Sequence, residues 1–468
     1  MPTTDRLSLP EPAITPALDP GFRPPALANR AFRGAAKESG GASVSVALEG
    51  TNGDVARFET VVFSDDHPRA AANLPHLERW LKFCLWSRGG WRVHYAGPQL
   101  LGENLQAHYA EENTGKFDAN FMGQTLYERS FEIAIVDPDD IPHEKNRSLP
   151  LGRHLDGCRI GFDLGASDRK VAAVIDGETV YSNEVVWDPK PQTDPGWHYD
   201  QINKSLKEAS AHLPRVDAIG GSSAGVYVDN QVRVASLFRG VAKADFNARV
   251  KPIFLDLQKE WDVPFDVVND GEVTALAGAM SIGANGVLGI AMGSSEAGGY
   301  VTPHGNITPW LNELAFAPVD YNPFAPADEW STDCGVGALY FSQQCTARLH
   351  AEAGIELDDG MPEPEKLKAI QSLMDDGDKR AAKIYHTIGT YLGYTLAHYA
   401  DFYTFEHVLI LGRVTSGPGG EMILKQAGIV MQEEFPELNE AISFHTPDET
   451  FKRHGQAMVA ASLPSLKS

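Results

Sequence analysis

Arg159-Ile-Gly-Phe-Asp-Leu-Gly-Ala-Ser-Asp-Arg-Lys170 is an apolar run that passes through a small-residue turn and returns as Val171–Ile175. Two β-branched or apolar runs around such a turn predict a hairpin. Three further segments follow in order: Val268-Asn-Asp-Gly-Glu272, Met292-Gly-Ser-Ser-Glu-Ala-Gly-Gly299 and Leu411-Gly-Arg-Val-Thr-Ser-Gly-Pro-Gly-Gly420. Three of the four are glycine-rich turns after apolar strands, and the remaining one presents an amide and a carboxylate at a strand end. Together they suggest phosphoryl transfer, because small-residue turns let backbone N–H groups approach phosphate oxygens.

Each segment suggests a role. The turn of Gly165, Ala166 and Ser167 can wrap a phosphate, with Lys170 adding positive charge; the same residues also fit an ordinary hairpin. Asp163, just before the turn, can hold magnesium through water, since Mg²⁺ keeps several waters and needs few protein carboxylates. Gly293, Ser294, Ser295 and Gly298 suit a terminal phosphate. Glu296 within that loop would repel the phosphate unless it points away or meets the metal. Gly412 and Gly417 lie between a strand and a helix start, where backbone can approach a base or ribose; the spacing matches neither the dinucleotide nor the Walker A motif. Asp270 reads either as a helix N-cap or as a general base, with Asn269 beside it for a neighbouring substrate hydroxyl.

The chain has 468 residues, enough for two or three domains. Its formal charge of −23 disfavours nonspecific attraction to nucleic acid or anionic lipid. No apolar run is long enough to span a membrane and no signal-like N-terminus is present, so a cytoplasmic location is the expectation. Cys84, Cys158, Cys334 and Cys345 are scattered, as free thiols in a reducing compartment would be.

Residues 1–40, rich in Pro and Ala, are expected to form a flexible arm. Residues 41–150 are expected to form an accessory α/β domain: strands around Asn52-Gly53, a helix over Leu74–Leu85, strands at Trp91–Tyr95 and Phe131–Val136, then a charged stretch ending at Pro150. Strand and helix alternation resumes at Cys158, giving an α/β protein with a mixed sheet.

In these segments, with Ser222-Ser-Ala-Gly225 and Asn312-Glu-Leu-Ala-Phe-Ala-Pro-Val-Asp320, the stretch from Cys158 to Ser468 resembles the ROK family of sugar kinases and related regulators. That resemblance implies a two-lobed, actin-like (ribonuclease H-like) fold, with lobe I at 151–280 and lobe II at 281–468, its C-terminal helix returning to lobe I. It further implies ATP and Mg²⁺ as cofactors, Asp270 as base, Ser223, Gly225, Asn269 and Glu313 on the sugar, and a homodimer. A non-catalytic sugar sensor is the alternative.

Several positions depart from the family pattern. Phe316 stands where the family has a His, and Cys334 stands alone where a zinc-binding cysteine cluster is usual. Tyr340 falls where a Glu is expected, Glu272 replaces a small amide residue, and Arg413 replaces a glycine. Zinc is therefore not expected, since a closed site takes four ligands. The specificity for ordinary hexoses is expected to be altered. Residues 41–150 also lack the paired helices and basic face of a DNA-binding domain, which argues against a nucleic-acid partner.

Overall fold

The computed structural model describes residues 7–111, 114–145, 151–446 and 449–466. Residues 1–6 of the expected arm and 146–150 of the linking stretch lie outside the described residues. The first unit comprises α1 (Pro25–Glu38), β1 (Ala42–Glu49), β2 (Val55–Val62), α2 (Asn73–Arg88), β3 (Arg92–Ala96), α3 (Gln99–Ala110), α4 (Thr114–Asn120) and β4 (Glu132–Ile135). Its sheet has the order β2-β1-β3-β4, and the β1–β2 hairpin turns at Asn52-Gly53, both at positive φ.

The arm is a correction: residues 7–40 are packed against the body. Pro25 sits at N1 of α1, where its missing N–H costs nothing, and Ala26, Phe32 and Ala36 are buried. Upstream, Leu18 N donates to Thr387 Oγ1 (3.3 Å), the Tyr391 hydroxyl donates to Asp19 (2.6 Å) and Phe22 packs 4.8 Å from the Tyr391 ring. The pattern was unreadable because this segment's apolar contacts lie on a distant helix.

Lobe I contains β5 (Cys158–Leu164), β6 (Asp168–Ile175), β7 (Glu178–Val186), α5 (Pro195–Ser210), β8 (Ala218–Ser223), β9 (Val226–Val228), β10 (Gln231–Val234), α6 (Lys243–Asp245), α7 (Ile253–Trp261), β11 (Phe265–Asn269) and α8 (Asp270–Ile282). Its sheet runs β11-β8-β5-β6-β7, parallel across β11, β8 and β5 and antiparallel beyond. Lobe II contains β12 (Val287–Met292), β13 (Glu296–Val301), α9 (Gln343–Glu352), α10 (Glu363–Asp375), α11 (Lys379–Tyr399), β14 (His407–Leu411), α12 (Pro418–Glu434), α13 (Pro436–Ala441), β15 (Ser443–His445) and α14 (Glu449–Ala461). Its sheet runs β13-β12-β14-β15.

The lobes exchange helices. α8 leaves lobe I and packs on β12 and β13, while α14 leaves lobe II and packs on β5, β6 and β8. Glycine makes the second contact possible: a Cβ at Gly161 or Gly220 would run into the Ala457 or Ala460 carbonyl of α14. Among the described residues no helix is long and apolar enough to cross a membrane.

The N-terminal unit does not keep its core to itself. α2 buries residues on every side, including Leu77, Trp80, Phe83 and Trp86, as a helix enclosed by protein does. Phe83 lies 5.5 Å from Tyr399 and 4.3 Å from Phe402, so one continuous core joins this unit to lobe II. The accessory domain expected at 41–150 is in this respect a layer of lobe II.

Candidate active site

Parallel pairing brings the lobe I candidates to one edge. Asp163 is in register with Ser222, Leu164 with Ser223, and Asn269 with Ser223, so β5, β8 and β11 end side by side. Crevices at the carboxyl ends of parallel strands are where open α/β sheets bind ligands. Asp163 accepts from Ser222 Oγ (2.6 Å) and lies 3.6 Å from Lys170 Nζ, which also pairs with Asp168 at 3.1 Å. Burial raises the Asp163 pKa, opposed by Ser222 and Lys170. Gly165, Ala166 and Ser167 form the β5–β6 turn, with Ala166 and Ser167 exposed.

The N-cap of α8 is Asn269, whose Oδ1 accepts from Gly271 N (2.7 Å) while Nδ2 donates to the Gly225 carbonyl (2.7 Å). Asn269 thus does the capping that Asp270 was equally able to do, and the Asp270 carboxyl is left for other work. Burial, then the charge of Asp163, pushes the Asp270 pKa up to about 6. Glu313 is pushed up to about 7 by burial and by Asp270. Three carboxyls therefore share one neighbourhood, and perturbed groups of this kind mark functional sites.

In lobe II, β12 and β14 are parallel with Ala291 opposite Leu411, so the loops at Gly293 and Gly412 emerge together. Gly412 has φ 101°, and a Cβ there would sit 2.5 Å from the Met292 carbonyl. Ser294 and Ser295 are exposed on the β12–β13 turn. Gly298 is elsewhere: it lies within β13, buried against Asn312 and Leu314, and is a packing glycine rather than part of the β12–β13 turn. Glu296 points away from the loop into the core, where Tyr399 donates to it (3.3 Å) and burial raises its pKa to about 8. A recess of about 180 Å³ beside Gly417 is lined by Tyr385, Asp375 and Ser416. The Tyr385 hydroxyl is buried without a hydrogen-bond partner, so a polar ligand group there would complete it.

A larger cavity, about 610 Å³, is lined by Gly225, Asn269 and Glu313. Gly225 has φ 135°, and a Cβ would meet the Val234 carbonyl. Ser223 does not line this cavity; it is fully buried and accepts from the Tyr227 hydroxyl (2.6 Å). Asp270 follows the lining Asn269 directly. The opposite wall comes from Thr51, Asn52 and Tyr127 of the N-terminal unit, with Asn52 Nδ2 donating to Asp229 of lobe I (3.1 Å).

α2 also fixes the Glu313 segment. The last carbonyls of a helix lack partners within it, and those of Trp86 and Ser87 accept from Glu313 N (3.0 Å) and Asn312 N (3.1 Å). Asn312 in turn donates to Glu272, which also accepts from Tyr300 N (3.2 Å); burial raises Glu272 to about 8, so it is held protonated at neutral pH.

Two of the departures from the family pattern, Phe316 and the Cys334 segment, meet α2. Phe316 stacks 4.5 Å from Trp86, and the Tyr340 hydroxyl donates to Asp320 (2.7 Å). Asp333, beside Cys334, is gripped by Arg79 (2.9 Å) and Lys82 (3.0 Å). Lys82 also bonds Asp118 (2.7 Å), and Trp86 Nε1 donates to the same carboxylate (2.9 Å). A buried ion network thus holds the segment in which the resemblance places a metal cluster.

Sequence reading missed Tyr127, Thr51, Asn52 and the α2 carbonyls as parts of the site. Only Asn52 carried a signal, and it read as a turn.

Parallel strand ends, paired glycine loops and exchanged helices define a two-lobed, actin-like α/β fold. Solved structures of ROK-family proteins share it. A ROK hexokinase from Thermus thermophilus superposes with a TM-score of 0.51 at 18% identity, covering 65% of this chain and 98% of that one. A ROK-family transcriptional regulator homologous to the E. coli MLC protein gives 0.51 at 17% identity, covering 66% and 79%. No family model and no curated protein matches the sequence.

Proposed function

We propose that this chain is an ATP-dependent, magnesium-requiring kinase acting on a hydroxyl of a sugar or sugar-like polyol. The observation that carries this reading is the gathering of Asp163, Asp270 and Glu313 where β5, β8 and β11 end, beside a cavity that takes a small polar ligand. Asp270, with a pKa near 6, is ionised at neutral pH yet basic enough to take the acceptor's proton. Asn269 is fixed by its two backbone bonds and retains one N–H and one lone pair for a substrate hydroxyl. Glu313 orients another hydroxyl from the far wall.

Gly165, Ala166, Ser167 and Lys170 on one lobe, and Gly293, Ser294 and Ser295 on the other, are the groups that would hold the phosphates of ATP. Gly412, Gly417 and the Tyr385 recess would take the nucleoside. Asp163 would hold Mg²⁺ through water, and the bound ion supplies neutralisation of phosphate charge. Positioning and charge neutralisation dominate phosphoryl transfer, so this short set of groups suffices.

ADP release with a panel of sugars and cyclitols tests the proposal. Asp270→Asn is expected to lower turnover by roughly 10²–10⁴-fold, the usual worth of a general base, with acceptor binding kept. Turnover by the unaltered protein should fall below about pH 6, because the base must be ionised. The second reading, a non-catalytic sugar sensor, is favoured by the equal likeness to a regulator. It is the outcome if sugars raise the melting temperature while none stimulates ADP release.

A further inference from the structure

The cavity beside Glu313 is larger than one sugar needs. Its roughly 610 Å³ falls in the range of pockets that bury drug-sized molecules, whereas a pyranose has only about a dozen non-hydrogen atoms. The surplus has its own walls. From the Glu313 and Asn269 end the cavity continues between Tyr127 and Leu126 of the N-terminal unit and the edge of β11 at Phe265 and Val267. Both Asn52 and Asp229 line it, and the hydrogen bond from Asn52 to Asp229 ties the β1–β2 turn to the β9–β10 turn. Glu128, next to Tyr127, pairs with Arg233 (2.8 Å) and with Lys251 of lobe I, so this wall is anchored on both sides.

The lining also has a sign. Asp229, Asp266 and Glu313 are among the lining residues, Glu272 lines it in its protonated form, and among the described residues that line the cavity none is Lys, Arg or His. An anionic ligand would enter a low-dielectric space with carboxyls and no compensating cation, which is costly. Neutral and cationic ligands meet no such barrier.

Resting on the kinase reading above, we infer that the acceptor is a glycoside rather than a free monosaccharide. Its phosphorylated sugar lies at Asn269 and Glu313, and a second, ring-sized group, uncharged or amine-bearing, lies between Tyr127 and the β11 edge. The N-terminal unit is then the specificity element of the site, since it supplies the wall that the second group touches.

The test compares calorimetric affinities of the full chain for glucose, mannose and galactose with those for their phenyl glycosides, their disaccharides and disaccharides ending in a uronic acid, alongside ADP release. For at least one sugar the neutral glycoside should bind about ten-fold or more tightly than the parent, an advantage of about 1.4 kcal/mol, and the uronic acid should not. Tyr127→Ala should remove that advantage, bringing the ratio of glycoside to parent affinity close to one. Asn52→Gly, which keeps the left-handed turn and removes the tether, should reduce it as well. Equal affinity for parent and glycoside overturns the inference while leaving the kinase reading intact. Glycoside preference without ADP release upholds the two-ring binding site and overturns the kinase reading, and with it the role of the glycoside as acceptor. Absence of binding by every probe overturns it too.

Discussion

Lys82→Met is the sharpest perturbation of the α2 network. The ammonium is fully buried and contacts Asp118 at 2.7 and 2.8 Å and Asp333 at 3.0 Å. Burial opposes its charge, but the two carboxylates outweigh burial and raise its pKa. Removing it leaves Asp333 with Arg79, whereas Asp118, among the described residues, keeps the indole N–H of Trp86. Breaking a buried pair by deleting one partner costs about 3–5 kcal/mol, against a total stability of about 5–15 kcal/mol for a typical domain.

The deficit should depend on pH. Asp118 is already raised by burial with Lys82 pulling it down, and without Lys82 its folded pKa climbs further. A carboxyl with a folded pKa above its unfolded one binds more protons when folded, so stability falls as pH rises between the two values, by up to about 1.4 kcal/mol per unit. Denaturant unfolding should therefore show a larger deficit at pH 8 than at pH 5. The double variant Lys82→Met, Asp118→Leu should recover part of it, because no buried charge is stranded. A single variant within about 1 kcal/mol of the unaltered protein at pH 8, or a deficit greater at pH 5, refutes the reasoning.

Two further outcomes are expected. Glu296, with a folded pKa near 8, should make the protein less stable as pH rises from the unfolded value toward 8, so Glu296→Gln should gain on the unaltered protein by up to about 4 kcal/mol between pH 5 and pH 8; parallel unfolding curves at the two pH values would show that the side chain is not buried as described. Gly412→Ala forces a Cβ toward the Met292 carbonyl at a positive φ, at a cost of about 1–3 kcal/mol of strain. Its melting temperature should cease to respond to ATP, and an unchanged response would remove that loop from the nucleotide site.

The strands and turns that carry the proposed phosphate and base positions were legible because local chemistry decides them: Gly165, Asn269, Gly293 and Gly412 sit where an apolar run must end. The surroundings of the proposed acceptor cavity were not. The contacts of Glu313 depend on carbonyls more than 200 positions upstream in α2, and no periodicity reports such pairings. Gly298 misled for the complementary reason: one glycine serves phosphate approach and close packing alike, and only its burial in β13 against Asn312 and Leu314 separates them. The arm was misread from its Pro and Ala content, although the buried Pro25, Asn29, Phe32 and Ala36 recur at helical spacing along α1.

The placement of α1 and α2 against α11 has a consequence for how the protein is made. Leu18 and Thr387 are 369 positions apart, so during synthesis the apolar flanks of α2 emerge long before α11 exists to cover them. Helix α14 imposes the same delay on lobe I, whose sheet stays bare over Gly161 and Gly220 until residues 449–461 arrive. Contacts this distant are slow to close, and uncovered strands and helices are prone to associate meanwhile. The nascent chain is thus exposed to association over most of its synthesis, and cutting it near residue 150 should yield two aggregating pieces instead of two domains.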